Sequence, residues 1–202
     1  MPTWRLRDAD PIAAENPYTF YKPSRELIAR VKPGENVKLI FDFDGNDPEA
    51  PGAERMWVIV DEVLADERFR GRLDNDPARI VDLKAGDPVE FSACHIINTE
   101  LDDNDNLVER YIKRCYVTNR ILRDGLPAGY LYREEPDRDD DSGWRIMAND
   151  ESEEYMKESD NLAYVSLGAV LSRDDSFKDL LDSPSGSAFE RDPHSGNFER
   201  AG

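Results

Sequence analysis

Hydrophobic positions along this chain recur at spacings that change several times, and each change marks an element. Leu27, Ile28 and Val31 share one helical face behind Ser24, a residue suited to cap an N-terminus, and Pro33-Gly34 ends the segment. Val37 to Phe43 alternates apolar and polar residues in its second half and reads as a strand. Arg55 to Val63 is another β-prone run, with Trp57, Ile59, Asp61 and Val63 on one face. Asp66-Glu67 then supplies a turn, and Phe69 to Leu73 returns antiparallel. Asn75-Asp76-Pro77 breaks the pattern, Lys84 to Asp87 makes a further turn, and Val89 to Phe91 is a short strand. Asp44 to Gly52, rich in Gly and Pro, is a loop.

Beyond the acidic stretch Glu100 to Asn106, apolar positions return at Val108, Tyr111, Ile112, Cys115 and Val117. Ala128 to Tyr132, Trp144 to Met147 and Leu162 to Leu167 are predicted strands, and Glu151 to Glu158 a short acidic helix. Asp174 to Leu181 reads as an amphipathic helix that buries Phe177, Leu180 and Leu181, with Asp174 or Asp175 at its N-terminal end. Residues 1–20 read as an extended lead-in whose Trp4, Tyr18 and Phe20, with Tyr21, pack on a domain surface. The last twenty residues are expected to fray after Phe198. The pattern predicts an α+β fold of two small domains or subdomains, with antiparallel sheets and short flanking helices. The expected divisions are a lead-in with a short helix over 1–32, an N-terminal domain over 33–106 and a C-terminal domain over 107–202.

Composition narrows the function classes. The 202 residues carry 44 Asp+Glu against 26 Lys+Arg, a net charge of -18, with a mean hydropathy of -0.73. Eight Phe, 8 Tyr and 3 Trp set the chain apart from disordered acidic tails. Such a charge is repelled by phosphate backbones and anionic lipid, which excludes nucleic acid and membrane surfaces and favours a basic protein partner. No apolar run approaches the ~20 residues that span a bilayer, and no apolar segment follows Arg5 and Arg7, so a soluble cytoplasmic protein is expected. Cys94 and Cys115 are too few for a disulfide scaffold or a four-ligand zinc site and read as single buried thiols.

No catalytic residues, metal or cofactor are predicted. His95 and His194 lie far apart without ligand or nucleophile patterns around them, and no phosphate-binding loop or nucleophile elbow is present. Asp42, Asp44, Asn46 and Asp47 have the look of a calcium loop, but the twelfth position counted from Asp42 is Ala53 and two prolines intervene. Charge is concentrated between Arg133 and Asp160, where 12 acidic residues face 4 basic ones, a net -8. Consecutive Asp139, Asp140 and Asp141 alternate faces in extended chain and do not converge on one ion. The acidic segment suits a cationic protein partner, with charges steering encounter and aromatics anchoring the complex. The candidate contact set is Asp139, Asp140, Asp141, Trp144, Glu151, Glu153, Glu154 and Tyr155. An alternative places Arg133, Glu134, Asp141 and Trp144 around a small-ligand or catalytic cleft, where an Arg-carboxylate pair serves equally to pin a loop.

Several short motifs carry more than their local physics. Tyr132-Arg133-Glu134-Glu135-Pro136, Asp141-Ser142-Gly143-Trp144, Glu154-Tyr155 and Gly186 to Arg191 lie within a stretch from about Cys115 to Asp192. That stretch resembles a bacterial domain family first catalogued as of unknown function and later grouped with the immunity proteins of polymorphic-toxin systems. In the first half, Glu54-Arg55-Met56-Trp57-Val58, the segment Gly71 to Pro77, and Leu83 to Asp87 before Val89 and Phe91 resemble a second small bacterial family of unknown function. The first resemblance implies a non-enzymatic protein that binds a cognate toxin or effector and blocks it. An adaptor using the same surface on a non-toxin partner is the competing expectation.

Overall fold

The computed structural model describes residues 2–43 and 52–201. The chain divides into two compact units: Phe20–Asn106 with the chain up to Asn16, and Leu107 onward with Pro17–Thr19. The expected loop over 44–52 lies, apart from Gly52, outside the described residues.

The first unit contains β1 (Trp4–Leu6), α1 (Asp10–Glu15), α2 (Arg25–Ile28), β2 (Asn36–Phe43), β3 (Ala53–Val63), β4 (Arg68–Leu73), β5 (Pro88–Ser92) and β6 (Ile96–Thr99). All strand pairs are antiparallel, in the order β1-β2-β3-β4-β5, with β6 also on β2. Between β5 and β6 lie four strand spacings, about 19 Å in a flat sheet. Yet Ser92 pairs with Arg68 and Ile96 pairs with Leu39, and four residues reach at most about 14 Å. The sheet therefore curls, wrapping Leu39, Phe41, Met56, Val58, Val60, Phe69, Phe91 and Ile96 into one core. Local signals behave as their chemistry predicts. Ser24 Oγ accepts from the Leu27 N–H, capping α2. Asp66 and Glu67 both take left-handed φ, +58° and +53°, in the tight turn between β3 and β4.

The lead-in is more structured than an extended segment. β1 pairs with the far end of β2, and Trp4 packs on Phe41 at 5.3 Å between ring centroids. Arg7 holds Asp42 in an ion pair. Tyr18 belongs to the second unit: it is buried there, edge-on to Tyr111, and its hydroxyl donates to Asp175 at 2.9 Å.

The second unit contains α3 (Leu107–Arg110), β7 (Arg114–Thr118), α4 (Asn119–Leu122), β8 (Tyr130–Arg133), β9 (Asp141–Met147), α5 (Glu153–Lys157), β10 (Leu162–Ser166), α6 (Leu167–Leu171), β11 (Ala188–Arg191) and β12 (Phe198–Arg200). Its sheet has the order β10-β7-β9-β8-β11-β12, antiparallel except for the parallel pair β7·β9. Inward residues Cys115, Val117, Leu131, Trp144 and Ile146 meet Ile121, Val170, Leu171 and Phe177 in one core.

Two expectations fail here. The segment Asp174 to Leu181 forms only a 3-10 turn at Lys178–Leu180, although Phe177 and Leu181 are buried. Asp174 caps the start of this segment with one oxygen, accepting from the N–H and hydroxyl of Ser176, while its other oxygen accepts from the Ala128 N–H and pairs with Arg191. The chain end does not fray after Phe198, because β12 adds to β11.

Candidate functional site

The four residues Asp141-Ser142-Gly143-Trp144 form a bulge in β9. Arg114 pairs with Asp141 and Tyr116 with Arg145, so two residues of β7 face four of β9. Gly143 sits at φ +81°, and a Cβ there would lie 2.3 Å from the Glu134 carbonyl oxygen. In a regular strand, positions i and i+4 stand about 13 Å apart. The bulge instead brings Arg145 back onto Asp141 as a bidentate pair, both contacts at 3.0 Å. Asp141 is fully buried and also accepts from the Gly143 N–H at 2.9 Å. Arg145 above all, then the N–H of Gly143, holds its carboxyl down at about 2 despite the burial. Ser142 Oγ donates to the Arg114 carbonyl, and Trp144 fills the core with its indole N–H toward the Leu181 carbonyl. Arg133 donates to the carbonyls of Ser142 and Ser183, and its guanidinium lies 5.8 Å from the Trp144 ring. These motif residues build the fold.

Opposite the core, the same sheet carries a second, partly exposed face. Cross-strand neighbours Tyr164, Tyr116, Arg145 and Tyr132 form a row over four strands, with Tyr130 beside Tyr132. All are partly exposed. The rings of Tyr116 and Tyr164 lie 4.8 Å apart, Arg145 sits 5.0 Å from the Tyr116 ring, and Arg114 and Arg138 sit 5.3 and 5.1 Å from the Tyr164 ring. Tyr and Arg are the side chains that concentrate binding energy in protein interfaces. The acidic segments frame this row. At the start of β9, Asp140 accepts from the Tyr164 hydroxyl at 3.2 Å and Glu134 pairs with Arg145. Partial desolvation and the neighbouring Asp140 push the Tyr164 hydroxyl pKa up. At the other end of the strands, Glu151 accepts from Thr118 Oγ1 and from the N–H groups of Ala148 and Asn149. Burial alone would raise the Glu151 pKa, but these donors outweigh it and hold it low.

The eight predicted contact residues divide. Asp139, Asp140, Glu153 and Glu154 are exposed, and Tyr155 is half-buried under the Arg120 guanidinium, 5.0 Å from its ring. Glu151 is committed to the turn before α5. Asp141 and Trp144 are corrected: both have zero exposure, one neutralised by Arg145 and the other packed beside Phe189, so neither offers a surface. The same burial removes the cleft expected around Arg133, Glu134, Asp141 and Trp144; the buried Arg-carboxylate pair pins the bulge, and its arginine is Arg145. The tyrosine row was missed. Its signal is the alternation in Cys115-Tyr116-Val117, Tyr130-Leu131-Tyr132 and Trp144-Arg145-Ile146, where the residues between the aliphatic ones share the outer face.

Among the described residues no group of three or more His, Cys, Asp and Glu is placed to hold a metal ion, and no helix is long and apolar enough to cross a membrane. The outer face of the second sheet thus groups tyrosines with arginines, with Asp140 and Glu134 in direct contact with them. Residues 115–201 match the model of the family described as Immunity protein Imm33 domain. The matched span runs from β7 through β12 and takes in every strand of the second sheet. It supports the resemblance of the C-terminal half to immunity proteins. No curated protein and no solved structure matches the chain.

Proposed function

We propose that this protein is a bacterial immunity protein that binds a cognate, basic protein toxin or effector and neutralises it by occlusion, without catalysis of its own. The observation that carries the reading is the match of residues 115–201 to an immunity-protein domain. The contact surface is the tyrosine row together with the exposed acids Asp139 and Asp140 beside Tyr164 and, on α5, Glu153 and Glu154 with the half-buried Tyr155. Glu135, Asp139, Glu153, Glu154 and Glu158 form no ion pair with any described residue and are exposed, so the segment keeps a net negative field toward solvent. A basic toxin is drawn to that field, and the Tyr and Arg side chains supply the anchors. The protein acts in the cytoplasm, where a toxin of its own cell would do harm.

The test is a pull-down of the tagged chain against the products of neighbouring genes, at low and at physiological salt. A stoichiometric, salt-sensitive complex with one basic protein is expected. Changing Asp139 and Asp140 to Asn, with Glu153 and Glu154 to Gln, should slow association about tenfold at low salt. The same neutralisation at four exposed acids of the first unit, Glu15, Glu26, Asp74 and Glu100, should leave the rate unchanged. Equal rates for both variants would remove the interface from this face.

A further inference from the structure

Strand β10 ends the second sheet, with β7 on one side and, among the described residues, no strand on the other. Its residues Leu162 to Val165 contain no Lys, Pro or charge, the usual guards of an open edge, and every residue of the strand is partly exposed. The Leu167 N–H donates to the Lys113 carbonyl at 2.8 Å, continuing the β10·β7 register by one pair. That bond sets the phase of the antiparallel ladder. Odd-numbered Ala163 and Val165 turn their backbone groups toward β7, and Tyr164 turns its N–H and C=O outward. No backbone hydrogen bond among the described residues reaches either group of Tyr164. The edge is flanked by exposed acids, Glu158 and Asp160 before the strand and Asp139 and Asp140 beside the Tyr164 ring, where Arg114 and Arg138 also lie, Arg138 paired with Asp137.

We infer that β10 is a strand-addition site: an extended cationic segment of a partner protein pairs with the outer edge of β10 through the N–H and C=O of Tyr164. The inference rests on the binding role proposed above and gives it a mode. The flanking acids choose the occupant. With Arg114 counted, and Arg138 together with its partner Asp137, the edge remains net acidic, so a second copy of this chain would set one acidic edge against another, whereas Lys or Arg side chains at alternate positions of an added strand meet it favourably.

The test uses the full chain labelled with ¹⁵N. One probe is an eight-residue peptide alternating Lys with Val and Thr, and the other carries Glu in place of Lys. The Lys peptide should slow hydrogen exchange of the Tyr164 amide at least tenfold, and the Glu peptide should not. Protection by neither peptide, or equally by both, would overturn the inference. So would protection that appears on raising protein concentration alone, which would make a second copy the occupant. Two variants separate backbone from side chain. Y164A keeps the outward donor, whereas Y164P removes it at an edge position where proline leaves the ladder to β7 intact. Equal melting temperatures are expected for the two, with peptide binding at least fivefold weaker in Y164P. Equal binding would overturn the inference. These outcomes do not involve the toxin, so failure to recover a toxin would sink the immunity reading alone. Recovery of a toxin that binds Y164P and Y164A alike would sink strand addition alone.

Discussion

Replacing Asp141 by Asn tests the claim that the second unit is organised around a buried ion pair in the β9 bulge. Asn keeps the shape but not the charge, and its amide N–H₂ must face either Arg145 or the Gly143 N–H, both donors. Holding a carboxyl at about 2 instead of the ordinary 3.8 corresponds to roughly 2 kcal/mol at neutral pH. Breaking a buried pair by removing one partner typically costs about 3–5 kcal/mol. Arg145 keeps Glu134 at 2.9 Å and its side chain is 12% exposed, which softens that loss. The expected destabilisation is therefore about 2–3 kcal/mol. The sign of its pH dependence follows from the ionised form being favoured in the fold. The contribution is fully present above about pH 4 and is lost as pH falls through about 2, so the gap between wild type and variant closes over that window. The assay is urea unfolding followed by fluorescence in a Trp4→Phe, Trp57→Phe background, where Trp144 alone reports on the second unit. Asp139→Asn is the control and should lie within about 0.5 kcal/mol of its parent, because Asp139 is exposed and forms no ion pair with any described residue. A loss below 1 kcal/mol for Asp141→Asn, or a gap that does not narrow toward pH 2, would refute the reasoning.

Gly143→Ala places a Cβ 2.3 Å from the Glu134 carbonyl at a left-handed φ, whereas Gly125→Ala shares the sign of φ in open space. Thermal melts should show the Gly143 variant several degrees below the Gly125 variant, which loses only about 1 kcal/mol. Burial pushes the Cys115 thiol up to about 12. A thiol-disulfide reagent at pH 8 should therefore modify at most one cysteine per native chain, Cys94, and reach Cys115 only in denaturant.

Elements with a local chemical signature were legible in the sequence. Ser24 announces α2, Asp66-Glu67 the first turn and Gly86 the Lys84–Asp87 turn, because each rests on a side chain or a φ that the residue type controls. Elements created by pairing alone were not: β1 and β12 are three residues each and exist because β2 and β11 offer them an edge. The amphipathic spacing of Asp174 to Leu181 placed Phe177 and Leu181 correctly in the core, but Ala128 and Arg191 also hold the Asp174 carboxylate from 46 and 17 residues away. The triple Asp shows the limit most clearly. Asp139, Asp140 and Asp141 are chemically identical, and only the position of Arg145 across a bulge decides which one is buried. The tyrosine row required the order of strands β10, β7, β9 and β8, which no local pattern encodes.

Growth rescue is the most direct test of the central claim. If the proposed role holds, cells induced to express one basic product of a neighbouring gene should stop growing without this chain and recover when it is co-expressed. The variant with Asp139 and Asp140 changed to Asn and Glu153 and Glu154 to Gln should rescue less, at equal protein level. Full toxicity in the presence of folded wild-type protein, for every product of the neighbouring genes, would contradict the account.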